Sequence, residues 1–89
     1  MKRARIVVKG YVQGVGFRWF AARTAERLHL TGWVRNRADG SVESVVEGES
    51  DSVHAYIAEL RRGPSSATVT DLDLIEGEYR GEFDRFRIA

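Results

Sequence analysis

The sequence predicts an α+β sandwich, a single antiparallel sheet with two helices packed on one of its faces. Three observations carry this. Runs of β-branched residues with a period of two alternate with two stretches of helical period, in the order β-α-β-β-α-β. An Asp39-Gly40 pair sits between the second and third strands, where it marks a hairpin. The chain has 89 residues, 43% hydrophobic and 30% charged, which suits one core and one domain over residues 1–89.

The first strand is expected over residues 5–12, where Ile6, Val8 and Val12 fall at even spacing on one face. Gln13-Gly14-Val15-Gly16 breaks that alternation. Residues 17–30 read as a helix, with Phe17, Phe20, Ala21, Thr24 and Leu28 on one stripe. Thr31-Gly32 marks its stop, Gly32 lying near a C-cap position. Residues 33–37 and 41–47 form the next two strands, joined by a type I′ turn with positive φ at both central residues. In the third strand Val42, Ser44 and Val46 face one way and Glu43, Val45 and Glu47 the other.

Ser50-Asp51-Ser52 offers N-cap oxygens to a second helix striped by Val53, Tyr56, Ile57 and Leu60. Gly63-Pro64 ends it. Residues 68–75 are β-rich without a clear inward face. A last short strand spans residues 83–88, with Phe86 and Ile88 on one side, so the final β-region can be split in two. This order of elements is that of a ferredoxin-like sandwich.

Composition excludes several function classes. With no cysteine there are no disulfides, thiolate metal sites or cysteine nucleophiles. After the basic start, Ile6-Val7-Val8 is too short for the apolar region of a signal peptide. No apolar stretch approaches the ~20 residues that cross a bilayer. A soluble cytoplasmic protein without membrane contact is expected. The net charge of +1 hides an asymmetry: residues 1–37 carry nine Lys/Arg and one acid, whereas residues 38–89 carry five Arg and twelve Asp/Glu. Two readings fit. The halves attract one another across the fold, or the first half holds an anion site.

The segment Gly10-Tyr11-Val12-Gln13-Gly14-Val15-Gly16-Phe17-Arg18 joins the first strand to the first helix. The opening N–H groups of a helix lack intrahelical acceptors and carry partial positive charge, so they suit an oxyanion. Glycines let such a loop curl until successive N–H groups converge. Arg18 in the first turn is mildly repelled by the helix dipole, by ~0.3–1 kcal/mol, and a bound anion would reverse that repulsion. A solvated arginine beside an ordinary glycine turn fits the same residues. A nucleotide P-loop would need Lys-Ser/Thr after the last glycine, where Phe17-Arg18 stands. A dinucleotide fingerprint would need a small residue at Trp19 and a longer parallel βαβ unit.

These nine residues resemble the first signature of the acylphosphatase family. Gly32-Trp33-Val34-Arg35-Asn36-Arg37-Ala38-Asp39-Gly40-Ser41-Val42-Glu43 resembles the second, at the expected separation. The strand end at Gly48, the second helix and its Gly63-Pro64 stop also match, so the resemblance covers nearly the whole chain. It implies the ferredoxin-like fold and hydrolysis of acyl phosphates to carboxylate and inorganic phosphate. By resemblance the backbone N–H groups of Gln13, Gly14, Val15, Gly16 and Phe17 bind the phosphoryl group. Arg18 is similar to the family's phosphate-binding arginine, and Asn36 to the asparagine that positions the attacking water. No metal and no cofactor are expected, and the partners are a small-molecule acyl phosphate and inorganic phosphate. A monomer is expected. Tyr11 departs from the family, where a basic residue is common, and bears on substrate affinity.

Other candidates are weaker. An RNA-binding module shares the element order, but it needs aromatic and basic residues on the third strand, where this chain has Glu43 and Glu47 and no aromatic. No nucleic-acid partner is expected. A regulatory domain that keeps the family fold is disfavoured by the intact Arg18 and Asn36. His29 and His54 stand alone on separate helices. Glu43 and Glu47 read as solvated cross-strand residues, and Trp19 and Trp33 as packing or surface aromatics.

Overall fold

The computed structural model describes residues 1–89. Its elements run β1 (Lys2–Tyr11), α1 (Phe17–Arg27), β2 (Thr31–Asn36), β3 (Val42–Gly48), α2 (Ser50–Arg62), β4 (Thr68–Glu78) and β5 (Phe86–Ile88). The strand order is β4-β1-β3-β2-β5. Contacts among the first four strands are antiparallel. β5 joins β2 in parallel, placing Ile88 opposite Val34. The expected all-antiparallel sheet therefore has one parallel pair, because residues 79–85 carry the chain across the ends of the inner strands before it turns back.

One face of the sheet, with Ala4, Ile6, Val8, Val34, Val42 and Val46, packs against Phe17, Ala21 and Ala25 of α1 and Val53, Tyr56, Ile57 and Leu60 of α2. Each larger side chain buried there contributes about 1.5–3 kcal/mol. The buried Tyr56 hydroxyl lies 2.8 Å from Ser44 Oγ, which donates to the Trp33 carbonyl at 2.7 Å. The serine's single proton is thus committed, and Tyr56 is the donor to it. Burial pushes the Tyr56 phenol far above its ordinary value.

The opposite face holds a finding the alternation does not give. Glu43 and Glu47, read as solvated, are 4% and 1% exposed. Glu43 accepts from Arg5 Nε at 2.7 Å and from Arg35 Nε at 2.9 Å. Glu47 accepts from Arg3 at 3.0 Å and from the backbone N–H groups of Arg80 and Glu82 at 2.7 and 3.3 Å. Burial pushes both carboxyls up, but these donors outweigh it and hold both below the ordinary value. Glu47 also anchors the crossing segment to the sheet. Arg35 lies 5.1 Å from the Trp33 ring centroid and Arg3 5.4 Å from that of Phe83, cation–π contacts beside these pairs.

Four local expectations are corrected. α1 ends before Leu28, and the left-handed closing residue is His29, with φ 59°. Leu30 N donates to Ala25 O and His29 N to Glu26 O, the paired bonds of a Schellman motif. Gly32 instead lies inside β2, where a Cβ would stand 1.9 Å from the Val45 carbonyl oxygen. The hairpin is not type I′: Asp39 lacks positive φ, while Gly40 has φ 93°. Arg37 N donates to Ser41 O at 2.9 Å and Gly40 N to Arg37 O at 3.2 Å, so the loop has three residues and ends in a left-handed glycine. Asp39 Oδ1 accepts from Ser41 N, which fixes that geometry. At α2 the cap is Glu49, without a side-chain bond, and Asp51 serves as first-turn charge.

The obscure face of β4 has a cause. A bulge between Lys9 and Gly10 shifts the β1–β4 register, so Val69 on one side of it and Leu72 and Leu74 on the other all reach the core. A strict period of two fails across that step. β4 is also the sheet's long edge, with exposed Asp71, Asp73, Glu76 and Glu78 along it.

Candidate active site

The site forms where β1 hands over to α1. Val12 and Phe17 are buried and fix the two ends of the connecting loop in the core. Between them Gly14 and Gly16 adopt left-handed φ values of 74° and 77°, and nothing lies within 4 Å of where their Cβ atoms would be. The curl therefore faces open space, and it is the handedness of the backbone that calls for glycine.

Its electrostatics follow from unused donors. Phe20 N is the first amide of α1 to find a backbone acceptor, at Gly16 O, and no N–H from Gln13 to Trp19 donates to a backbone carbonyl or to a side chain. No side chain caps the helix and no acid stands in its first turn. Arg18 adds a full positive charge to this cluster of partial ones. Its Nη1 reaches the backbone oxygen of Ala89 at 3.3 Å and meets no Asp or Glu.

That isolation is selective. Of the nine Lys/Arg in residues 1–37, seven pair with carboxylates: Lys2, Arg3, Arg5, Lys9, Arg27, Arg35 and Arg37. Every acid they meet lies in the second half of the chain. Mutual attraction of the halves thus accounts for most of the asymmetry and leaves Arg18 and Arg23 over. Arg23 lies on the outer side of α1, whereas Arg18 lies at the loop.

Arg18 and Asn36 share the wall of one hollow of about 280 Å³, with Val12, Gly14, Gly16, Phe17, Trp19 and Ile88. Asn36 ends β2, opposite Val42, and is exposed with no hydrogen-bond partner for its side chain. Two residues from separate segments of the chain thus line one hollow. Gln13 and Val15 lie beside this wall. The Gln13 side chain reaches away to the hairpin, and the Val15 carbonyl accepts from Ser66 Oγ at 2.8 Å. Sequence reasoning missed Val12, Trp19 and Ile88 as lining residues. For Ile88 no local pattern could supply it, since only the parallel β2–β5 pairing brings it near.

With unused N–H groups, a guanidinium and a neutral amide around one hollow, the arrangement can hold a small tetrahedral oxyanion. A protein-family profile described as "Acylphosphatase" matches residues 4–88. The chain is 53% identical over 88 residues to the Acylphosphatase of Syntrophus aciditrophicus (strain SB), covering 99% of this chain and 92% of that one. It is 53% identical over 88 residues to the Acylphosphatase of Methylococcus capsulatus, covering 99% and 96%. The crystal structure of acylphosphatase from Bacillus subtilis matches with a TM-score of 0.96 at 38% identity, over 100% of this chain and 99% of that one.

Proposed function

The chain belongs to the acylphosphatase family, and from that premise we propose that Arg18 and the N–H groups of Gln13 to Phe17 hold the phosphoryl group while Asn36 aims the attacking water. The overall reaction is hydrolysis of an acyl phosphate, a mixed anhydride of a carboxylic and a phosphoric acid, to carboxylate and inorganic phosphate. The residue roles are our reading, and one observation carries it: a first-turn arginine without an Asp or Glu partner follows a run of unused N–H groups.

The chemistry asks little more. The leaving carboxylate is stable unprotonated at neutral pH, its pKa being near ~4, so its departure needs no strong general acid. What remains is to spread the phosphoryl charge and to place water in line. The Arg18 fork can donate to two phosphoryl oxygens at once. Fixed N–H dipoles stabilise the charge without reorganising during the reaction. The Asn36 amide can accept from the water and donate to a phosphoryl oxygen. It is no base, so the water's proton goes to an oxygen of the transferred phosphate as the bond to the carboxylate oxygen breaks. We read the enzyme as a single-domain monomer in the cytoplasm.

Two measurements test this reading. Saturating inorganic phosphate should shift the amide resonances of residues 13–18, and a cradle whose resonances stay unmoved would sink the proposal. Turnover of benzoyl phosphate should be equal with and without a chelator. A chelator-sensitive rate would replace this mechanism with a metal-assisted one.

A further inference from the structure

We infer that the Gln13 side chain is a positioning residue that sets the spacing between the phosphate cradle and Asn36. The inference rests on the residue roles proposed above and adds a second one for Gln13, distinct from its backbone N–H. Gln13 Nε2 donates to the Arg37 carbonyl at 2.7 Å and to the Ser41 carbonyl at 2.9 Å. Both partners are acceptors only, so the nitrogen end of the amide must face them and a flipped amide is excluded.

The place of attachment matters. Arg37 and Ser41 close the β2–β3 hairpin, since Arg37 N donates to Ser41 O. Arg37 directly follows Asn36. The Gln13 amide thus spans from the first residue of the cradle to the backbone one residue beyond the proposed water-positioning side chain. No other hydrogen bond joins residues 13–16 to the hairpin. Gly14 and Gly16 touch nothing at their Cβ positions, and Val15 between them packs partly against the core and bonds to Ser66, not to the hairpin. In-line attack is sensitive to this spacing, because a displacement of about 1 Å can cost up to ~100-fold in rate.

The test uses Gln13→Met, which keeps length and removes both donors. We expect kcat for benzoyl phosphate to fall about tenfold, while the dissociation constant for inorganic phosphate changes less than about twofold. On an Asn36→Ala background the same substitution should cost kcat nothing further, since there is no side chain left to misplace. A kcat unchanged in Gln13→Met, or an equal drop on both backgrounds, overturns the inference. If Gln13→Met does not fold, Gln13→Glu replaces it. Its carboxylate repels both carbonyls, but its acid form regains one donor, so its kcat relative to the parent should rise between about pH 7 and about pH 5. A flat ratio overturns the inference. Asn36→Ala alone separates the two readings: if that variant keeps its kcat, water positioning is wrong, whereas its loss beside an unaffected Gln13→Met removes only the role of Gln13.

Discussion

Two regions of this molecule use arginine in opposite ways. On the open face of the sheet, Arg3, Arg5 and Arg35 are spent on Glu43 and Glu47, which lie buried beneath them. At the start of α1, Arg18 meets no Asp or Glu side chain and adds its charge to N–H groups that are themselves unused. With Glu82 also paired to Arg3, the first group is three cations against three acids and has no net charge left to offer a ligand. The second is a concentrated positive field waiting for a counter-charge. The start of α2 sharpens the point, because there Asp51 supplies the negative first-turn charge that α1 lacks.

If this contrast is right, substitutions in one region should injure catalysis and those in the other should injure stability. The largest effect is expected for Arg18→Ala, which should lower kcat/KM by about 10³-fold or more and weaken inorganic phosphate binding, as loss of a phosphoryl-clamping arginine does. Steady-state kinetics and a phosphate titration check it. Asn36→Ala should leave phosphate binding largely intact and reduce kcat by about 10²–10³-fold, the range for removing one preorganised polar group. Near-normal kcat in that variant would remove Asn36 from the mechanism.

Glu47→Gln should cost about 3 kcal/mol in denaturant unfolding, the scale for breaking a buried pair, with kcat per folded molecule unchanged. Glu47 faces Thr31 and Arg3 at the end of the strands remote from Asn36. The same region sets an acid limit. The folded Glu43 and Glu47 lie below their ordinary value of 4.5, so their contribution is complete above that value. It is lost as pH falls through their folded values, because the unfolded chain then binds more protons. Acid unfolding of Glu47→Gln should show a shallower dependence. The smallest effect is the most diagnostic: Arg18→Glu should gain about 0.3–1 kcal/mol in stability by complementing the dipole while losing phosphate binding. A destabilised Arg18→Glu would show that Arg18 belongs with the structural arginines.

Much of this was legible in the sequence, for physical reasons. The two helices follow from stripes such as Val53, Tyr56, Ile57 and Leu60, and the β1–α1 turn from Gly14 and Gly16 before an apolar helix start. Arg18 stood out because a cation opposes the dipole there. Asn36 did not: near a turn an asparagine is ordinary, and only the likeness to a family motif marked it. What stayed hidden depends on contacts remote in sequence. The buried state of Glu43 and Glu47 needs Arg3, Arg5, Arg35 and the crossing segment above them. The inward face of β4 is scrambled by a bulge at its own Thr70. Gly32 was read as a helix stop, yet it is demanded by the Val45 carbonyl across the sheet. The Asp39-Gly40 turn type was decided by the Arg37–Ser41 closing pair, which a dipeptide does not specify.

The long outer strand has a consequence for the protein in crowded solution. β4 presents eleven residues at the margin of the sheet, and such a margin invites a second molecule to continue the ladder. Asp71, Asp73, Glu76 and Glu78 would then lie against their own copies. Only two of the four carry a lysine counter-charge, Asp73 from Lys9 and Glu76 from Lys2. Mutual repulsion therefore works against neighbouring molecules zipping into ribbons, and added salt that screens it would weaken the safeguard.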